Sequence, residues 1–233
     1  MYKFSPSLMC MDISSFKEQV TLLNSYANFY HVDIMDGHFV KNITLSPFFI
    51  KELKKLATLP IDAHLMVENP EDFLDETIDA GADFISLHVE TINGKAFRLI
   101  EQIRKRGKKF GVVLNPETPL EAALPYLHYA DMLTIMTVDP GFAGQSFIAE
   151  MIDKIKQAKL WKKTNNYHYM ITIDGSCNRK TYKKLADAGA EVFIVGSSGL
   201  FNLDSSLETA WRKMMDEFNR EVGSCGGDAF ASQ

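Results

Sequence analysis

Ala80-Gly81-Ala82-Asp83-Phe84-Ile85-Ser86-Leu87-His88 and, further along the chain, Ala188-Gly189-Ala190-Glu191-Val192-Phe193-Ile194-Val195-Gly196 follow one plan. A helical pattern ends on Gly, the residue most at ease in the left-handed conformation that closes helices. An acid follows, and then an apolar run too short for a helix. Such a run reads as a strand of a parallel sheet, buried on both faces. Outward from these two segments, eight runs of this kind recur: Tyr2–Met9, Tyr30–Asp36, Ile61–Val67, Phe84–Glu90, Lys109–Asn115, Met132–Val138, Tyr169–Gly175 and Glu191–Ser197.

Helical patterns lie between them and after the last one: Ser15–Tyr26, Ser46–Ala57, Pro70–Ala80, Lys95–Lys105, Phe147–Lys163, Asn178–Ala188 and Leu203–Phe218, with a further helix expected around Leu120–Tyr126. Asn69-Pro70-Glu71-Asp72 supplies a cap, a Pro at the first helical position and acid in the first turn. Eight strand–helix units in an undivided chain predict an α/β fold, a single (β/α)8 TIM barrel. The alternative, an open doubly wound sheet, would often carry a Gly-rich first turn; here the first strand leads into Ser7-Leu8-Met9-Cys10-Met11-Asp12. The barrel is expected over residues 1–222. Residues 223–233, which include Gly-Ser-Cys-Gly-Gly, are expected to form a frayed tail.

The 233 residues include 46% hydrophobic and 11% aromatic side chains, enough for a large core and too many for disorder. Thirty acids against 25 Lys plus Arg leave a charge of −5, which disfavours a nucleic-acid partner. The basic run Arg104-Lys105-Arg106-Gly107-Lys108-Lys109 reads as a solvated helix end. No apolar run has the length of a membrane span, and no signal pattern opens the chain. Cys10, Cys177 and Cys225 are widely spaced and cannot all pair, which fits a reducing cytoplasm.

In a barrel, chemistry belongs at the carboxyl ends of the strands. Residues two apart share a face, so His31 and Asp33 point together from the second strand. Facing the interior, they need partners. The third strand supplies His64 and the seventh Asp174. Two imidazoles and two carboxylates converging on one point suit one divalent ion; zinc, manganese, cobalt, iron and magnesium are not distinguished. His88 and Glu90, placed on the fourth strand, are expected to brace this site rather than ligate. Asp36 and His38 are expected in turn and capping roles, and His128 and His168 at the surface.

Small residues recur in three loops after the last strands: Val138-Asp139-Pro140-Gly141-Phe142-Ala143-Gly144-Gln145, Asp174-Gly175-Ser176 and Gly196-Ser197-Ser198-Gly199. They let backbone N–H groups approach an anion, as the last loops of barrels often do for phosphate. Met9, Met35, Met66 and Met136 fall near strand ends and are read as adaptable packing in the barrel interior, with the lining of a sugar site as the functional alternative.

His31-Val32-Asp33-Ile34-Met35-Asp36-Gly37-His38-Phe39-Val40, with Asn42-Ile43-Thr44, resembles one signature of the ribulose-phosphate 3-epimerase family. Met136-Thr137-Val138-Asp139-Pro140-Gly141-Phe142-Ala143-Gly144-Gln145 resembles a second, and the likeness runs from Ser5-Pro6-Ser7 to Gly196-Ser197. Most of that family shows Asn-Pro-Gly-Phe-Gly-Gly-Gln and Asp-Gly-Gly in its phosphate loops. Asp139, Ala143 and Ser176 depart from this and look like the allulose-phosphate branch, as does Gly199-Leu200-Phe201-Asn202. Lys41 stands where the family often has Pro.

The resemblance implies a metal-dependent 3-epimerase interconverting D-allulose 6-phosphate and D-fructose 6-phosphate, with D-ribulose 5-phosphate as the alternative substrate. It implies His31, Asp33, His64 and Asp174 as metal ligands, Asp33 as proton acceptor and Asp174 as proton donor. Ser7 and His64 would contact the sugar. Gly141, Phe142, Ala143, Gly144, Gly175, Ser176, Gly196, Ser197 and Ser198 would hold the phosphate. A homo-oligomer is also implied. A non-catalytic sugar-phosphate binder is the reading from another class, and two facing carboxylates argue against it, because binding alone needs no pair of bases.

Overall fold

The computed structural model of the chain describes residues 1–223. Its strands are β1 (Lys3–Pro6), β2 (Tyr30–Met35), β3 (Ile61–Met66), β4 (Phe84–His88), β5 (Lys109–Leu114), β6 (Met132–Met136), β7 (Met170–Asp174) and β8 (Val192–Val195). They pair in parallel in the order β1-β8-β7-β6-β5-β4-β3-β2. A parallel bridge between Ser7 and His31 joins the two ends of that order, so the sheet closes on itself. Helices α1 (Phe16–Leu23), α2 (Pro47–Lys54), α3 (Glu71–Ala80), α4 (Val89–Ile92), α5 (Ala96–Lys105), α6 (Met151–Thr164), α7 (Tyr182–Ala188) and α8 (Leu207–Val222) complete a (β/α)8 barrel.

The strands are buried on both faces, as their composition requires. Val32 and Ile34 of β2 join the large apolar cluster shared with the helices. On α5, Ala96, Leu99, Ile100 and Ile103 form one buried stripe at helical spacing, each large side chain contributing ~1.5–3 kcal/mol. The inner faces are layered. Phe29, Phe84, Met132 and Val192, with Met170, plug the amino end of the barrel. Met35, Val40 and Met66 cluster at the carboxyl end with Met9 and Phe39. Between these apolar layers lie His31, Asp62, His64, Ser86 and His88, all buried.

Gly81 and Gly189 end α3 and α7 at φ 107° and 123°, the left-handed geometry that their matched segments predict. The basic run ends α5 as expected. Arg106 pairs with Asp75 and Asp79 of α3, and Arg104 donates to the Tyr129 carbonyl at 2.6 Å.

Two expectations are corrected. No α-helix covers Leu120–Tyr126: short 3-10 turns at Leu120–Ala123 and Leu127–Tyr129 stand there instead. Pro125 lacks the N–H that a continuous helix would need at that point. Glu90 is not on the fourth strand, which ends at His88; it sits in the single turn α4. Of the expected tail, residues 224–233, including Cys225, lie outside the described residues. Among the described residues no helix is long and apolar enough to cross a membrane, and Cys10 and Cys177 are unpaired thiols.

Candidate functional site

Strand alternation places His31 and Asp33 on the inner face of β2 and His64 on that of β3. The parallel register sets Asp33 beside His64, and Asp174 ends β7. One donor atom from each of these four residues lies within 4.8 Å of the others. His31 Nε2 is 3.1 Å from Asp33 Oδ1, 3.5 Å from Asp174 Oδ2 and 3.2 Å from His64 Nδ1. His64 Nδ1 is 3.3 Å from Asp33 Oδ1 and 3.4 Å from Asp174 Oδ2.

The far side of each ring is also held. His31 Nδ1 meets Asp62 Oδ2 at 2.9 Å, and Asp62 Oδ1 accepts from Ser86 Oγ at 2.6 Å. His64 Nε2 meets His88 Nε2 at 2.7 Å, and His88 Nδ1 meets Glu90 Oε2 at 3.2 Å. Asp33 Oδ2 accepts from Ser7 Oγ at 2.6 Å.

This geometry passes the chemical test for a divalent ion. Two imidazole nitrogens and two carboxylates converge in a buried space, a donor set suited to one such cation. The electrostatics point the same way. Burial opposes charge on His31, yet Asp33, Asp174 and Asp62 hold its pKa well above the usual imidazole range. Burial opposes charge on His64 as well, and Asp174 and Asp33 raise its pKa. Asp33 and Asp174 are pushed toward their protonated forms by burial, but the two histidines outweigh it and lower both. The carboxylates therefore demand positive charge at this point, from protons or from a metal.

Asp33 and Asp174 open onto a cavity at the carboxyl end of the barrel. Its lining includes Ser7, Gly141, Phe142, Ala143, Gly144, Gly175, Ser176, Gly196, Ser197 and Ser198, so the three small-residue loops meet there. Met9, Met35, Met66 and Met136 line it too, as well as packing among themselves and their neighbours. His64 is fully buried and lies outside that lining.

The loops are tied together. Asn42 Nδ2 donates to the Gly141 carbonyl at 2.7 Å, and Gln145 Nε2 to the carbonyls of Asp139 and Phe142. Ser176 Oγ donates to the Gln145 carbonyl at 2.6 Å, and Asn178 Nδ2 to Ser198 Oγ at 3.1 Å.

Asp36 is a turn hub, accepting from the N–H groups of His38, Phe39 and Glu68. His128 and His168 are exposed, as expected. Asp62 and Ser86 carry no role in the sequence reading. The available signal was their spacing: each precedes a site histidine by two residues and so shares its face.

The model of the ribulose-phosphate 3 epimerase family matches residues 3–201. The ribulose-phosphate 3-epimerase of Treponema pallidum is 38% identical over 198 residues, covering 84% of this chain and 90% of that protein. That of Aquifex aeolicus is 39% identical over 211 residues, covering 90% and 94%. Among solved structures, 3-hexulose-6-phosphate synthase from Salmonella typhimurium superposes with a TM-score of 0.67 at 20% identity, covering 94% of this chain and 99% of that one. This last likeness carries the barrel fold alone. With a family model spanning most of its length and relatives matched almost end to end, the chain belongs to the ribulose-phosphate 3-epimerase family, carbohydrate epimerases of the isomerase class.

Proposed function

We propose that the protein is a divalent-metal-dependent 3-epimerase of ketose phosphates, with D-ribulose 5-phosphate the substrate that its relatives' names support. The observation that carries this reading is the pair Asp33 and Asp174, which share the His31–His64 nitrogens and open onto one cavity with the three small-residue loops. Inverting C3 of a 2-ketose requires a proton to leave one face and another to arrive on the opposite face. Asp33 removes the first and Asp174 delivers the second, each contributing about 10²–10⁴-fold as a positioned acid–base group.

His31, Asp33, His64 and Asp174 are the residues that would hold the ion. When bound, it supplies Lewis acidity where negative charge builds on the ketose oxygens, worth roughly several kcal/mol. The nitrogen half of the donor set favours zinc, cobalt or iron over magnesium, and the two carboxylates also suit manganese. Ser7 fixes the orientation of Asp33 through its 2.6 Å hydrogen bond. The loops around Gly141–Gly144, Gly175-Ser176 and Gly196–Ser198 receive the phosphate on backbone N–H groups, which explains how a chain of charge −5 grips an anion without a basic patch. Residues 1–222 act as one catalytic domain of a cytoplasmic homo-oligomer.

A second reading, D-allulose 6-phosphate, rests on the phosphate loops. Asp139, Ala143 and Ser176 depart from the usual family pattern, and Ser176 ties the loop after β7 to Gln145 through its own hydroxyl. The test is kcat/KM for both phosphates, together with wash-in of solvent deuterium at C3. Turnover favouring the pentulose supports the first substrate, and a large hexulose preference replaces it with the second. No exchange with either ketose phosphate removes the epimerase reading.

A further inference from the structure

We propose that Glu90 is a positioning residue that sets the proton order along His88 and His64, and thereby leaves His64 Nδ1 bare to ligate the metal. The inference rests on the metal reading above and assigns what completes that site. His64 turns Nδ1 toward Asp33 and Asp174 and Nε2 toward His88 Nε2, 2.7 Å away. Two ring nitrogens at that distance share one proton, so one donates and the other accepts.

If His64 Nδ1 is to offer its lone pair to a cation, His64 carries its proton on Nε2. His88 Nε2 is then the acceptor, and the His88 proton sits on Nδ1. That nitrogen faces Glu90 Oε2 at 3.2 Å, an acceptor when ionised. The opposite order would set the His88 Nδ1 lone pair against the carboxylate, two acceptors face to face. Glu90 is held in this orientation because its Oε1 accepts from the Asn115 N–H at 3.0 Å. The His88 ring is fully buried and packs on Phe39 at 4.6 Å between centroids. His31 thus meets its carboxylate directly, whereas His64 meets one through an intervening imidazole.

Glu90→Gln tests the relay with almost no change of shape. With its oxygen still accepting from Asn115, the amide NH2 faces His88 Nδ1 and reverses the order, placing a proton on His64 Nδ1. Zinc affinity, read by chelator competition, is expected to fall about 10–100-fold. In zinc-loaded, ¹⁵N-histidine-labelled wild type, NMR is expected to find the protons on His88 Nδ1 and His64 Nε2. Glu90→Asp, which keeps an acceptor, is expected to retain that order. Wild-type zinc affinity in Glu90→Gln, or a proton on His88 Nε2 in the wild type, would overturn the relay even where the epimerase stands. Failure of the wild type to bind any of zinc, cobalt or manganese would instead overturn the metal reading, and the relay with it.

Discussion

Asp62 and His31 are joined across the β2–β3 register, with Asp62 Oδ2 2.9 Å from His31 Nδ1. The ring cannot turn without breaking this contact, so His31 Nε2 is aimed at Asp33 and Asp174. Asp62→Ala leaves a buried ring N–H without a partner, at a cost of about 1–3 kcal/mol. Zinc affinity by chelator competition is expected to drop about 10–100-fold. Asp62→Asn is expected to lose much less, since its amide oxygen can accept from His31 while its NH2 faces the rotatable Ser86 hydroxyl. Equal losses in the two variants would mean that charge, not orientation, is what Asp62 provides.

The support for Asp62 continues to a glycine. Ser86 Oγ, which donates to Asp62, lies against Gly111 of the adjacent strand. A Cβ at Gly111 would fall 2.1 Å from that oxygen and 3.0 Å from Ser86 Cα. Gly111→Ala must push β4 and β5 apart or eject the Ser86 side chain, and overpacking of this kind costs about 1–3 kcal/mol. Urea unfolding measures it; a change within about 0.5 kcal/mol of wild type would show that the strands yield freely.

How far the fold was legible follows from where its information lies. The strands were readable because both faces are apolar, and Gly81 and Gly189 mark helix ends that only a positive φ satisfies. Strand ends overran, since Glu90 and Val138 continue the polarity pattern after the parallel pairing has stopped. The expected fifth helix failed at Pro125, which outweighs the helical propensity of Leu120-Glu121-Ala122-Ala123. His31, Asp33 and His64 could be grouped from spacing and chemistry. Asp62 and Ser86 could not be ranked, because their roles depend on which nitrogen of a neighbouring ring they face, and that is set by tertiary packing.

Asp33 and Asp174 should separate chemistry from folding. Asp33→Asn or Asp174→Asn nearly keeps shape and burial while removing the proposed base or the proposed acid. Each is expected to cut epimerisation and C3 deuterium exchange by at least about 10²-fold in protein that still unfolds cooperatively, the midpoint falling by whatever the lost contacts with His31 and His64 contributed. Full turnover by either variant would sink the two-carboxylate mechanism.

The pH dependence of the metal-free protein has two arms of opposite sign. Against opposing burial, Asp33, Asp174 and Asp62 raise the folded pKa of His31, and Asp174 and Asp33 raise that of His64. Their stabilisation is complete below the ordinary imidazole value of 6.5 and is lost as pH rises through the folded values. Burial lowers His88 to about 4, so its contribution is complete above 6.5 and is lost as pH falls toward about 4. Glu90, held at about 2 by His88 and Asn115 against burial, adds to the loss on the acid side. Urea unfolding without metal should therefore peak near neutral pH. Saturating zinc should abolish the alkaline fall, because the ion replaces the proton charge between the carboxylates and releases protons as it binds. An alkaline arm that persists with zinc would place its cause outside this cluster.

Ser176 is the residue through which the proposed phosphate loops are best tested. Its φ of 49° is left-handed, which costs a non-glycine residue about 1–3 kcal/mol, and the Oγ hydrogen bond to Gln145 at 2.6 Å offsets part of that. Ser176→Gly removes the strain and the tie together, so global stability should change little while the loop after β6 loses its anchor to the loop after β7. If that anchor shapes the phosphate site, KM for the ketose phosphate rises about fivefold with kcat kept, the loss of one hydrogen bond of about 1 kcal/mol. If it also sets the length of sugar accepted, the ratio of kcat/KM values for D-allulose 6-phosphate and D-ribulose 5-phosphate moves toward the pentulose, because glycine restores the more usual family loop. Unchanged KM for both substrates would leave the Ser176 hydroxyl as a purely local clasp with no part in the choice between pentulose and hexulose.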